Sequence, residues 1–163
     1  MRPDYPSPVE GTKAVVLTPA LVKDGEAAYL KKTDVARLGL DLESVRRVAR
    51  ASASVEAKKL KPEYVRDARG VLQYAVITTD SPTTAGAVLA PEFAALFADT
   101  LGPDLLVAIP NRYRVYVYPA LAGDFASTAG LVLRDYELSP FPVSREVFRL
   151  TPRGLRAMGA FEP

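Results

Sequence analysis

The run LLVAIP at residues 105–110 constrains this chain more than any other stretch. Its apolar residues leave a strand no face to turn to water, so it belongs inside a sheet with cover on both sides. RVYVYP at residues 114–119 follows at once and alternates. Arg114, Tyr116 and Tyr118 fall on one side, Val115 and Val117 on the other, the period of a second, adjacent strand. Pro110, Asn111 and Arg112 read as the connection: proline ends the first strand, asparagine tolerates a turn and arginine faces outward. The tyrosines admit two readings. They form an exposed Arg/Tyr surface for a protein or nucleic acid, or a sheet face covered by a helix. The second is preferred because sheet aromatics are commonly core.

The rest of the chain supplies partners for that pair. MRPDYPSPVEG carries three prolines in its first eight residues and reads as an extended or loosely held lead-in over residues 1–12. Residues 14–17 and AAYLKK are strand candidates that pair as a hairpin, with Asp24-Gly25 supplying the turn. Thr33-Asp34 caps a short helix that Gly39 ends, and Asp41 caps a longer one over LESVRRVARASASVEAKK. Leu42, Val45, Val48, Ala49, Ser52 and Val55 give that helix its inner stripe. KLKPEYVRDARG reads as a loop or a brief extra turn. VLQYAVITTD is a strand, Ser81-Pro82 starts a helix that Pro91 divides, and Phe93, Leu96, Phe97 and Leu101 line the second part. DFASTAGLVLRDYELSP is a helix capped by Asp124, with Phe125, Thr128, Val132, Leu133 and Tyr136 inward. SPFPVS runs extended, REVFRLT is the last full strand, and a turn with a short final strand closes the chain. There is no internal repeat and no low-complexity segment. The expectation is one α+β domain over 1–163, its body at 13–163 a single mixed, mainly antiparallel sheet with helices packed mostly on one face.

Composition removes whole chemistries. The 163 residues include no histidine and no cysteine. That excludes a Ser-His-Asp triad, an imidazole base, a thiolate nucleophile, a disulfide, and His or Cys metal ligation. No phosphate-cradling glycine motif and no GxSxG elbow occurs. No apolar run reaches the roughly 18 residues of a membrane helix, and the amino terminus has no apolar core of a secretory signal. The expected setting is cytoplasmic, with no cofactor and no membrane association.

Charge is uneven. Residues 1–70 hold 14 Lys/Arg against 10 Asp/Glu, net +4, and residues 71–163 hold 7 against 9, net −2. Lys31-Lys32, Arg46-Arg47-Arg50 and Lys58-Lys59-Lys61 concentrate the positive charge. Read conservatively they are a solvated surface, and no aromatic residues are interleaved to stack bases. The carboxylates Asp99 with Asp104, and Asp135 with Glu137, are read as turn and solvated helix-end residues rather than a catalytic pair.

Four stretches in order resemble the YtpQ-like family of bacterial proteins. DLLVAIPNR resembles its passage from an apolar strand into a Pro-x-Arg turn. AAYLKKTDVARLGLDLESVRRVARAS resembles its strand, short helix and long helix, APEFAALFADTLG the helix before the apolar strand, and LSPFPVSREVFRLTPRGL its closing segment. Together they cover most of residues 14–161. Longer members carry an additional N-terminal portion. Tyr113 stands where the family more often has an acidic residue, so a charge-pair role does not carry over to Arg112. The resemblance implies an α+β fold and a soluble bacterial protein, and it implies no reaction.

These readings point first to a small non-catalytic module for protein interaction, regulation or chaperone-like work. Asn111, Arg112, Tyr113, Arg114, Tyr116 and Arg145 are its candidate binding residues, and homodimerisation through the Arg/Tyr strand edge is one form. The alternative is a small-molecule-binding domain or hydrolase, in which Arg112, Tyr113, Asp104 and Arg145 converge on a pocket. The least favoured reading is weak nucleic-acid binding, which needs Lys31, Arg46, Arg47 and Arg50 on one surface.

Overall fold

A computed structural model of the chain describes residues 3–12, 14–121 and 126–162. The apolar run forms β7 of a six-stranded sheet. In chain order the elements are β1 (Ser7–Pro8), β2 (Val16–Leu17), β3 (Ala20–Lys23), β4 (Glu26–Tyr29), α1 (Lys32–Arg37), α2 (Leu42–Ala57), β5 (Glu63–Arg66) and β6 (Leu72–Thr78). There follow α3 (Thr84–Ala87), α4 (Pro91–Phe97), β7 (Leu105–Asn111), β8 (Arg114–Pro119), a 3-10 turn (Ala126–Thr128), α5 (Ala129–Glu137), β9 (Glu146–Thr151) and β10 (Gly154–Ala160).

The large sheet has the order β10-β9-β7-β8-β6-β5, and all its ladders are antiparallel. The fold is therefore α+β and mainly antiparallel, as expected, but it is neither one sheet nor mixed. β1–β2 and β3–β4 are separate two-stranded ladders, and the parallel bridge Glu10↔Arg156 is isolated. No helix among the described residues is long and apolar enough to cross a membrane.

Both faces of β7 and β8 are covered. On one face Ala75, Ile77, Leu105, Val107, Ile109, Val115, Val117 and Phe148 pack under α2, α3 and α4, whose Ala57, Ala87, Phe93 and Phe97 enter the same core. On the other, Ala108, Tyr116 and Tyr118 pack under Val132 of α5, with Phe161 beside them. Three helices thus share one face and α5 takes the other. The tyrosine side is the covered sheet that the alternation favoured. β8 lies between β6 and β7, so its edges are already paired and it offers none for dimerisation.

Several expectations are corrected. Pro110 does not end its strand: β7 continues to Asn111 through a bulge between Ala108 and Asn111, where an extra residue absorbs the missing N–H. The Pro110 carbonyl still accepts from the Val143 amide at 2.8 Å. KLKPEYVRDARG contains the edge strand β5, where charged side chains cost nothing because one edge and one face meet water. The partner of β4 is β3, not residues 14–17, which pair with the lead-in. That lead-in is not loose, since Val9 is buried in the main core and Glu10 accepts from the Ala157 amide. In α2, Val48, Ser52 and Val55 are exposed, and the inward stripe is Val45, Ala49, Ala53 and Ala57, whose alanines let the helix pack closely on α3 and α4. α1 begins at Lys32, ahead of Thr33-Asp34, and Asp34 accepts from the Lys31 amide at 3.0 Å. Asp41 caps α2 by accepting from the Ser44 amide at 2.7 Å. Asp124 and Phe125 lie outside the described residues.

Candidate functional site

The corner where β7 turns into β8 gathers most of the candidate residues. The turn itself is Arg112–Tyr113, with Asn111 and Arg114 as its closing pair. The Asn111 side chain spans it in two directions. Its Oδ1 accepts from the Tyr113 amide at 2.9 Å, and its Nδ2 donates to the Asp135 carbonyl of α5 at 3.0 Å. That second bond holds the last turn of α5 against the strand end.

Asp135 is the hub. Arg114 Nη1 donates to both of its carboxylate oxygens, at 3.0 and 2.9 Å, while Arg114 Nε donates to Thr78 Oγ1 at 3.2 Å. The Tyr116 hydroxyl donates to Asp135 Oδ2 at 2.6 Å. Burial, reinforced by the neighbouring carboxylate, pushes the Tyr116 phenol well above its ordinary range. The hydrogen bonds from Arg114 to Asp135 raise the guanidinium further. Two donor groups, the Arg114 guanidinium and the Tyr116 hydroxyl, thus make three hydrogen bonds to this one carboxylate and tie β8 to α5.

Arg112 points elsewhere. Its guanidinium lies 4.8 Å from the centroid of the Phe141 ring, and its Nη1 reaches the Ala27 carbonyl of β4 at 3.4 Å. A cation–π contact and a backbone carbonyl thus hold this guanidinium. Tyr113 meets the same ring edge-on, 6.0 Å away at 75°. The backbone is stitched in as well: the Arg112 carbonyl accepts from the Ala85 amide, and the Tyr113 carbonyl from the Thr79 amide at 2.9 Å. Around these groups is a shallow, open depression of about 270 Å³, bordered by Thr78, Asn111, Tyr113, Arg114 and Asp135.

The remaining candidates are not brought to this depression. Arg145 sits at 5.8 Å over the Tyr136 ring. Asp104 lies at the opposite end of β7 and forms an ion pair with Arg149 of β9. The convergence of Arg112, Tyr113, Asp104 and Arg145 required by the enzyme reading is absent. Reading the sequence as a solvated helix end missed Asp135. Its signal was there, because Thr128, Val132 and Asp135 repeat at i, i+4 and i+7 and share the inward face of one helix.

Two other surfaces stand out. The β3–β4 hairpin leaves Leu21, Val22 and Tyr29 exposed at 41, 48 and 41 %. Arg46, Arg47 and Arg50 border a depression of about 380 Å³ on α2. Comparison with family models, curated proteins and solved structures finds no match for this chain.

Proposed function

We propose that this chain is a non-catalytic protein-interaction module that binds through the β3–β4 hairpin. One observation carries the reading: the hairpin stands outside the large sheet, all of β3 is exposed, and Leu21, Val22 and Tyr29 lie bare on it. An isolated two-stranded ladder of four residues each way is marginal in water, and a third strand would stabilise it. The partner is a protein offering an extended segment for strand addition, with a second copy of this chain the nearest one available. Kinship with YtpQ-like proteins belongs to the same proposal and rests on the four ordered stretches.

The separation of Asp104 and Arg145 from the corner weighs against the hydrolase alternative. The test is a photo-crosslinker placed at Val22, combined with sedimentation velocity across a concentration series. Crosslinks from Val22 to a second copy, with association weakened by Val22→Lys, are expected. A chain that remains monomeric at all concentrations and yields only intramolecular crosslinks would overturn self-pairing at the hairpin.

A further inference from the structure

Six cations of this protein are ion-paired among the described residues, and Arg46, Arg47 and Arg50 are among the others. Arg37, Lys58, Arg69, Arg114, Arg149 and Arg156 each form an ion pair with a carboxylate. Arg46, Arg47 and Arg50 form none among the described residues, although they are the densest group of guanidinium side chains in the chain. Each helical residue advances about 100°, so positions 46, 47 and 50 fall within an arc of about 100° on α2. Three like charges on adjacent turns repel one another.

Local contacts do little to relieve that repulsion. Arg46 Nη2 reaches the Ser7 hydroxyl at 3.4 Å, and Arg47 Nη2 reaches the Ser44 hydroxyl at 3.5 Å, both long and neutral. Glu43 borders the same depression, one turn before Arg46 and Arg47, and makes no ion pair with either. The depression measures about 380 Å³ and is open to solvent.

We infer that this face of α2 binds a small phosphorylated molecule, one carrying a diphosphate or triphosphate group. The guanidinium fork matches paired phosphate oxygens, and three forks around one depression can engage more than one phosphate. A nucleic-acid strand fits less well, because no aromatic side chain borders the depression to stack a base and the basic face belongs to one short stretch of helix. The inference stands apart from the hairpin, and either can fail without the other.

The experiment is calorimetric titration with inorganic pyrophosphate and triphosphate at 50 and 200 mM salt, with a 20-residue single-stranded oligonucleotide as a competitor arm. Saturable binding is expected, with affinity falling about tenfold for Arg50→Gln and beyond detection for the triple glutamine variant. These positions are exposed on the helix surface, so circular dichroism should show an unchanged fold in each variant. No saturable heat with the parent protein would overturn the inference, as would equal binding by the triple variant. Oligonucleotide binding that pyrophosphate does not displace would assign the face to nucleic acid and overturn it too.

Discussion

Of the hairpins that reverse through two-residue turns, β3–β4 and β7–β8 are built on opposite terms. β3–β4 turns through Asp24 and Gly25, both with positive φ, 52° and 80°, the backbone whose twist matches paired strands. Its side chains nonetheless lie in water. β7–β8 turns through Arg112 and Tyr113, neither of which has a positive φ, and a bulge in β7 accommodates the mismatch. Yet this second hairpin is the centre of the sheet, with Val107, Val115 and Val117 fully buried. Turn chemistry settles where a chain can reverse easily; burial settles which reversal the fold depends on.

The largest way to break the contrast is a charge in the core. Val117→Asp places a carboxylate among apolar neighbours with no partner, at a loss on the order of 5 kcal/mol, comparable with the whole stability of a small domain. Val22→Asp in β3 should change stability by less than about 0.5 kcal/mol. Urea denaturation of both variants reads the difference, and similar losses would show that the hairpin is as integral as the sheet.

Next comes the corner. Asp135→Ala removes the acceptor of Arg114 and Tyr116 and leaves both donors partly buried, with an expected loss of about 2 kcal/mol. Asp135→Asn should recover part of it, because an amide oxygen still accepts one of the two. A double-mutant cycle pairing Asp135→Ala with Tyr116→Phe should return coupling, and simple additivity would mean that the network has no energetic unity.

How far the sequence reveals this architecture follows from the same contrast. Periodicity placed β6, β7, β8 and the inner face of α5, because each buries a continuous apolar row. It misread α2, because the alanines that pack closely are less conspicuous than the valines that do not. It read β5 as a loop, since an edge strand carries Glu63 and Arg66 without penalty. It carried Pro110 only as far as a strand end, for no local pattern announces a bulge. The corner was identified as a place while its hub was not, because Asp135 meets Arg114 and Tyr116 only after α5 folds back across the sheet.

Titration gives a smaller, graded test. Burial pushes the Tyr118 phenol from its ordinary value of 10.0 up to about 12. The folded chain therefore holds this proton more tightly than the unfolded one. The stabilisation is complete below pH 10 and is lost as pH rises toward about 12. Tyr116 shifts in the same direction and adds to the loss. Thermal melts from pH 8 upward should fall in that window, and Tyr118→Phe should flatten the fall. An unchanged slope in the variant would remove Tyr118 as its source.

The smallest effect is also the one that sharpens the comparison most. At Gly25 a Cβ would meet nothing within 4 Å, so Gly25→Ala introduces backbone strain at positive φ and no clash. The local penalty is about 1 kcal/mol. Because the hairpin buries little, it should open without the sheet, and global stability measured by urea should hold within about 0.5 kcal/mol. Hydrogen exchange should then quicken at the paired amides of β3 and β4 while those of β7 and β8 keep their protection. A global loss equal to the local one would mean that the Arg112–Ala27 contact ties the two hairpins into one cooperative unit, and the contrast between them would not hold.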